Sequence, residues 1–568
     1  VTFLALPFRH PLARAVSAGT PQPPSSPGKD TANDRAAPRD TALPVRLLLL
    51  ALWLAGALYA ATHHTMWRDE IRAFSFAQRG SGLLDMVVAI RGDGHPALWH
   101  VILRLAWTAY RDPVVLPLAA FAIGAAGATL LALRAPFRPL LLALALLGAF
   151  TLYEYVAVAR NYGLGVLLLY AIAAAWTRHR DTPGVLAALL FLLANANIHS
   201  LVFAGALLLL WAVELLQQRA HALPGSCPPN RPAPDRRAWR SFALAVAATT
   251  LGAALCLWQA YPSAQSAAML PTERPGPLAL LATLVLGLGP AFAELMPAPL
   301  QSTIPVLVLL PALIGLAIAG LRTPPAPGDP PHRWSRDPAL GAILAAIAAL
   351  FGMTLVFVLV YPGGYRHQAL LLAFLVTLAW IVAARAPHRR APDNLALITL
   401  LALQLVTSAL VLARIADGVP ESRSRDLAAL LARPALADAI VVGDPDTALE
   451  ALPYYSRHPI YLARERRFGT TLAFSKAAQE TMTIGRLLDT ARRLQARHRR
   501  PIVVVLGERL GPGTTAGLRD RGYYGALRVD LAEARRFLAA TRRLARFAPA
   551  ATDESYDVYL LKPAASLD

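Results

Sequence analysis

Charge and cysteine are what this sequence lacks. Only 16% of its 568 residues are charged, against roughly 25% in an ordinary soluble domain. Hydrophobic residues make up 56%, and mean hydropathy is +0.44. That balance excludes a soluble chain of ordinary composition, and the apolar excess must meet lipid. The two cysteines, Cys227 in a polar loop and Cys256 in an apolar run, exclude a disulfide framework and a cysteine metal site. No HExxH or other histidine-rich spacing occurs, which removes the usual zinc signatures. Lysine is nearly missing too, with Lys29, Lys476 and Lys562 the only three, so arginine carries the net charge of +20. Most of those arginines fall in short loops between apolar runs rather than in one groove-sized patch. This argues against a nucleic-acid partner and for a chain oriented in a membrane.

A helix needs roughly 20 apolar residues to cross about 30 Å of hydrocarbon. Runs that meet or approach this length, with tilt allowed, lie at 47–61, 114–133, 140–153, 162–176, 185–197, 201–216, 242–258, 304–321, 340–360, 369–384 and 395–412. The expectation is a polytopic α-helical domain of about 11 spans by that criterion. Two shorter or interrupted stretches, 97–107 and 278–295, read as interfacial helices. Arg46, Arg134, Arg138, Arg178, Arg180, Arg236, Arg322 and Arg385 fall on one side of this topology, which the positive-inside rule makes cytoplasmic. Residues 1–45 mix Pro, Ser, Ala and both charge signs without periodicity and read as a disordered cytoplasmic tail. No small-residue cleavage site follows the apolar stretch 1–8, so it is not read as a signal peptide. An odd number of spans puts the first loop, 62–96, and everything after 415 on the external side.

The region 416–568 expects a soluble α/β domain. Apolar, β-rich runs at 439–442, 460–463, 502–506 and 558–561 alternate with stretches of helical period such as 484–498. Gly443-Asp444-Pro445-Asp446 at a strand end could bind a ligand, but a plain turn is the more ordinary use of those residues.

Ionisable groups inside spans are costly, and here the span centres are nearly free of them. They collect at the external ends instead. Asp69 and Glu70 follow the first span, Asp93-Gly94-His95-Pro96 closes its loop, and Glu154 and Arg160-Asn161-Tyr162 join two later spans. Asn197 and His199 come next, and Tyr365-Arg366-His367 follows a Pro-Gly-Gly break. One membrane face is thus chemically equipped, whereas a transporter would more typically show a midplane site. Adjacent carboxylates diverge on a helix, so Asp69 and Glu70 do not form a facing dyad, and a helix cap is the plainer reading of the pair alone. Arg160 and Arg366 are two cations on one face, suited to holding phosphate. His95 and His199 read as hydrogen-bonding groups rather than metal ligands.

The order of these features resembles the C-type glycosyltransferase superfamily, and within it the bacterial branch related to protein O-mannosyltransferases and lipid A aminoarabinose transferases. The likeness spans about residues 45–415 and rests on Asp69-Glu70, Gly94-His95-Pro96, Glu154 with Arg160-Asn161-Tyr162, and Tyr365-Arg366-His367. It implies a membrane glycosyltransferase that takes a sugar from a polyprenyl-phosphate-linked donor to a lipid, glycan or protein acceptor at the external face of an inner (plasma) membrane. The C-terminal domain is then periplasmic or extracellular. Carried over, Asp69 is the general base and Glu70 positions its loop. Arg160, Tyr162, Arg366, His367 and His199 hold the donor phosphate, while His95, Glu154 and Tyr365 position substrate. Inversion at the anomeric carbon follows from direct in-line attack. No cofactor is implied by the residues, although some relatives use a divalent metal at the first-loop Asp, which leaves Asp69 open as a ligand. The motif departs after the acidic pair, reading Ile71-Arg72-Ala73-Phe74-Ser75 where relatives often have a longer aromatic-rich acidic motif, so the acceptor stays open. The competing expectation is a lipid-linked-sugar flippase or other transporter.

Overall fold

The computed structural model describes residues 42–179, 182, 184–221, 236–262, 266, 276–322, 339–385, 394–479, 481–520 and 525–563. The expected tail at 1–45 falls almost wholly outside the described residues.

Helix α1 (Leu43–His63) leads into a loop that carries two short helices, α2 (Arg68–Ala77) and α3 (Leu83–Ala89). Then come α4 (Leu98–Ala109), α5 (Val115–Arg134), α6 (Pro139–Leu147), a π-helical turn at Phe150–Glu154, α7 (Tyr162–His179), α8 (Val185–Ala194), α9 (Ile198–His221) and α10 (Arg236–Ala260). Next are α11 (Pro277–Leu286), α12 (Leu288–Ala291), α13 (Leu310–Ala319), α14 (Leu340–Leu359), α15 (Tyr365–Arg385) and α16 (Leu395–Ala416). Among the described residues, seven helices are long and apolar enough to cross a membrane: α1, α5, α9, α10, α14, α15 and α16. The chain is a multi-pass membrane protein.

Three expected spans form helices shorter than a full crossing. The run 140–153 becomes the 9-residue α6, a Gly148 break and the π-helical turn. The run 185–197 is the 10-residue α8. The run 304–321 starts as a π-helical segment, Pro305–Leu309, before α13. Helix α7, the run 162–176, has 18 residues, a length of about 27 Å that lies at the lower end of what a crossing needs. Apolar length was readable, but helix continuity was not, because Gly148 interrupts a run whose hydropathy is unbroken. The stretch 97–107 is the 12-residue α4, about 18 Å long and too short to cross. The stretch 278–295 is broken into α11, α12 and a 3-10 turn.

Apolar faces sort by neighbour. Leu47, Leu48, Leu52, Leu54 and Leu58 of α1 are exposed along its length, as a lipid-facing helix requires. Helix α15 is the most enclosed of the seven and forms the axis of the bundle. Small residues bring backbones together. A Cβ on Gly252 of α10 would lie 3.1 Å from the Phe191 carbonyl of α8. Buried Thr249, Thr354 and Thr377 each donate to the carbonyl four residues earlier, so these three hydroxyls are satisfied within their own helices. At the arginine-rich end, Arg46 donates to the Ala132 and Ala135 carbonyls at the C-terminus of α5, at 2.7 and 2.9 Å, and Arg385 pairs with Glu214.

The α/β domain follows α16. It contains α17 (Ser424–Leu431), β1 (Ile440–Asp444), α18 (Leu452–Tyr455), β2 (Ile460–Leu462), β3 (Arg467–Phe468), β4 (Met482–Thr483), α19 (Ile484–His498) and β5 (Ile502–Leu506). These are followed by β6 (Gly517–Asp520), β7 (Ala526–Val529), α20 (Leu531–Ala540), β8 (Thr541–Phe547) and β9 (Tyr556–Leu561). A six-stranded sheet has the order β3-β2-β1-β5-β9-β8, with β2, β1 and β5 parallel, and a second sheet has the order β4-β7-β6. Alternation splits the central strands between two cores. Ile440, Val442, Val504 and Leu506 pack with α19, while Val441, Val503 and Val505 pack with α17. Burial on both faces is why these strands read as continuous apolar runs. At the end of β1, Asp444 pairs with Arg464, and Asp446 accepts from the Ala463 and Arg464 amides, so the Gly-Asp-Pro-Asp segment is a braced turn.

Candidate active site

The site is built where the first loop, the 155–162 corner and the start of α15 meet. Trp67 is extended, and α2 begins at Arg68, so Asp69 and Glu70 sit in its first turn, where the helix dipole favours acids. Their directions differ. Glu70 is wholly buried and accepts from the Trp67 amide at 3.1 Å, from the Ala159 amide at 2.5 Å and from His64 Nε2 at 2.8 Å. His64 in turn meets the Tyr153 hydroxyl at 3.0 Å, and Tyr153 donates to Glu421, which also binds Arg414. Glu70 therefore ties the loop to the 155–162 corner and to the α16 exit. Asp69 points the other way, its side chain 33% exposed, into a cavity of about 370 Å³.

Arg160 reaches Asp69 Oδ2 at 3.0 Å and the Asp69 carbonyl at 3.0 Å, and its other nitrogen donates to the Tyr162 hydroxyl at 3.4 Å. Tyr162 opens α7. Its position is fixed by Gly163, where a Cβ would collide with the Tyr155 carbonyl. The Tyr162 hydroxyl lies 2.7 Å from His367 Nε2, and the His367 ring is 5.1 Å from that of His199. Arg366 stands behind the same carboxylate, 3.9 Å from Asp69 Oδ2, with its Nε 3.4 Å from Glu154 and its guanidinium 5.0 Å from the Trp67 ring centre. The Tyr365 hydroxyl binds Gln404 and its amide binds Glu294.

Of the residues expected from sequence, Asp69, His95, Arg160, Tyr162, His199 and His367 line the cavity. Glu70, Glu154, Tyr365 and Arg366 are not in its wall: Arg366 stands behind Asp69 and is held by Glu154, Glu70 ties the loop to the 155–162 corner, and Tyr365 bonds away from the cavity. Burial alone would raise the Asp69 pKa, but Arg160, Arg68 and Arg366 outweigh it and hold the carboxylate below its usual range. Burial, then Arg160, pushes His95 down to about 4, so it is neutral near pH 7 and offers hydrogen bonds rather than charge. Among the described residues no three His, Cys, Asp or Glu side chains gather as a metal site. The groups crowding Asp69 are guanidinium ions, a donor set that suits an anion.

Sequence reasoning missed the contribution of the C-terminal domain. Arg72, one turn beyond Asp69, is held between Asp93 at 2.6 Å and Glu450 at 2.7 Å and also donates to the Leu472 carbonyl. Glu450 and Phe474 line the cavity from the α/β domain. Arg68 donates its amide to Glu554 at 3.0 Å and its side chain to Asp553 at 2.5 Å. The two arginines flanking Asp69 are thus both gripped by that domain. The opposite wall is apolar, with Leu257, Ala260, Val356 and Val360 from the ends of α10 and α14.

The chain is similar to ArnT. The crystal structure of ArnT from Cupriavidus metallidurans bound to undecaprenyl phosphate matches with a TM-score of 0.42 and 14% identity, over 93% of this chain and 99% of that one. ArnT in the apo state matches with a TM-score of 0.36 and 15% identity, over 90% and 97%. No protein-family model and no curated protein matches. At such identity ArnT lends no residue roles, which here rest on the geometry of this chain.

Proposed function

We propose that this protein is a membrane glycosyltransferase that moves a sugar from a polyprenyl-phosphate-linked donor to an acceptor at the membrane face bearing the α/β domain, the external face of an inner membrane. The observation that carries this is the cavity itself. A partly exposed carboxylate lies against two guanidinium groups, with a histidine pair and a tyrosine on one side and an apolar wall on the other. An anionic lipid fits that combination, with its phosphate at Arg160, the charge of Arg366 behind Asp69 adding to the field, and its chain along α10 and α14.

Asp69 then takes the proton from the acceptor hydroxyl or amine while the anomeric carbon is attacked in line, with inversion. Charge growing on the leaving phosphate is met by Arg160 and Arg366, which stand ready in a partly dry site. The same arginines depress Asp69, so phosphate that draws Arg160 away raises the basicity of the carboxylate as the donor arrives. The sugar, and whether the acceptor is lipid, glycan or protein, follow from chemistry this site leaves open. A flippase is the competing reading. Against it, the ionisable groups of the cavity, Asp69, His95, Arg160 and His367, cluster at one end of the helices.

Purified protein in proteoliposomes with a radiolabelled polyprenyl-phosphate sugar separates the two. Label appearing on an acceptor supports the transferase; label that only changes leaflet replaces it with a transporter.

A further inference from the structure

Behind Asp69 the cavity has a small polar alcove that the proposed chemistry does not use. It has a volume of about 20 Å³ and is lined by Asp69, Asp93, His95, Trp99, His100 and Asn161, with Ala73 at its edge. A space of at least 10–15 Å³ on this measure admits one water. Its lining is unusually rich in unanswered polar atoms. Trp99 Nε1 and Asn161 Oδ1 are buried without a partner among the described residues, although the Asn161 amide nitrogen is anchored on the Ala196 carbonyl at 3.0 Å. His100 is 1% exposed, and even with the Pro96 carbonyl serving one ring nitrogen, the other has no protein partner there. An apolar pocket of this size would stay dry. One with an indole N–H, an amide oxygen and an imidazole supplies the two to four partners a buried water needs.

We infer that the alcove holds an ordered water linking Asp69 to His100, and that this water carries the proton away from Asp69 after each transfer. The inference rests on the transferase reading for its second half only. The step balances. Protonated Asp69 gives its proton to the water oxygen as the water gives one of its own to the free imidazole nitrogen of His100, leaving a carboxylate, a water and an imidazolium. The groups facing the alcove are Asp69, Arg72 and Ala73 from α2, Asp93 and His95 from the loop, Trp99 and His100 from α4, and Arg160 and Asn161 from the corner. The two carboxylates oppose the two arginines, so a proton entering meets no net field of one sign. Burial brings His100 down to about 4, so its imidazole is neutral at rest and free to accept a proton, while the arginines around Asp69 keep that carboxylate below its usual range. His100 is a positioning and relay residue and touches no substrate in this scheme. Its ordinary role, edge-on packing against Phe76 at 6.3 Å, would be kept by phenylalanine.

The test uses the full chain in lipid nanodiscs, as wild type, His100→Phe and Ala73→Val, the last filling the alcove without altering a polar group. A map that resolves water should show density between Asp69, Trp99 and His100 in wild type and none in Ala73→Val. Both variants should lose about tenfold in kcat with KM unchanged, less than the 10²–10⁴ of a direct general base, and His100→Phe should alter the solvent isotope effect on kcat. An empty alcove in wild type, or both variants turning over at the wild-type rate with the same isotope effect, overturns the inference. Density in the alcove of a protein that transfers no sugar overturns the relay and the transferase together, while leaving the water site itself standing.

Discussion

Removing Arg72 is the perturbation whose consequence is most closely defined. Its guanidinium lies between Asp93 and Glu450, whose side chains are 7% and 1% exposed, and joins the first loop to the α/β domain. Arg72→Met keeps the aliphatic volume but leaves two buried carboxylates without their cation. Breaking a buried pair by removing one partner costs about 3–5 kcal/mol. Burial already pushes Glu450 above its usual range despite Arg72, so in the variant it will take up a proton rather than stay charged. A carboxylate raised in the folded state adds stability at low pH and loses it as pH rises through the folded pKa. Arg72→Met should therefore be closer to wild type at about pH 5 than at about pH 8. Adding Asp93→Asn and Glu450→Gln should recover most of the loss, because replacing a whole buried pair is often nearly neutral. Thermal unfolding followed by tryptophan fluorescence, with limited proteolysis between α16 and β1, reads the effect. A melting shift for Arg72→Met no larger than that of surface substitutions, within about 0.5 kcal/mol, or one that does not depend on pH, would refute the reasoning.

Two further outcomes follow. Glu554 is buried, which pushes it up to about 8 from 4.5. Its contribution to stability is full below 4.5 and is lost as pH climbs to about 8, at about 1.4 kcal/mol per unit. Glu554→Gln should flatten the stability profile across that window, and an unchanged slope between the two proteins would contradict the assignment. Glu70→Gln turns one of three accepted hydrogen bonds into a donor facing a donor, so it should lower the unfolding free energy by about 1.5–3 kcal/mol, whereas Asp69→Asn should cost less, because that side chain is 33% exposed and water can answer part of the arginine charge it leaves. Equal melting temperatures for the two variants would mean that the neighbours do not divide into brace and base.

The sequence was most legible where a local pattern decides local structure. The apolar runs at 439–442 and 502–506 are β1 and β5, and the helical period of 484–498 is α19, capped by Thr483. Clustering of ionisable residues at one end of the helices marked the cavity wall, since Asp69, His95, Arg160, Tyr162, His199 and His367 all reach it. Two things were not readable. Side-chain direction was one, because only the bonds of Glu70 to Trp67, Ala159 and His64 show that it serves the scaffold. The other was long-range pairing. Arg72 and Glu450 are 378 positions apart, and nothing near either residue marks the other. Helix length within the run 140–153 was hidden for a related reason, as hydropathy does not register the break at Gly148.

The central claim, that Asp69 is the base of a transfer reaction whose leaving phosphate is held by Arg160, meets its most direct test in one assay. Transfer of radiolabelled sugar from purified polyprenyl-phosphate donors to membrane acceptors is compared in wild type, Asp69→Asn and Arg160→Ala, with folding checked by melting temperature. The account predicts that both variants stay folded. Asp69→Asn should lose about 10²–10⁴ in kcat while still binding the polyprenyl-phosphate donor, and Arg160→Ala should lose both turnover and that binding. Wild-type transfer persisting in a folded Asp69→Asn would contradict it.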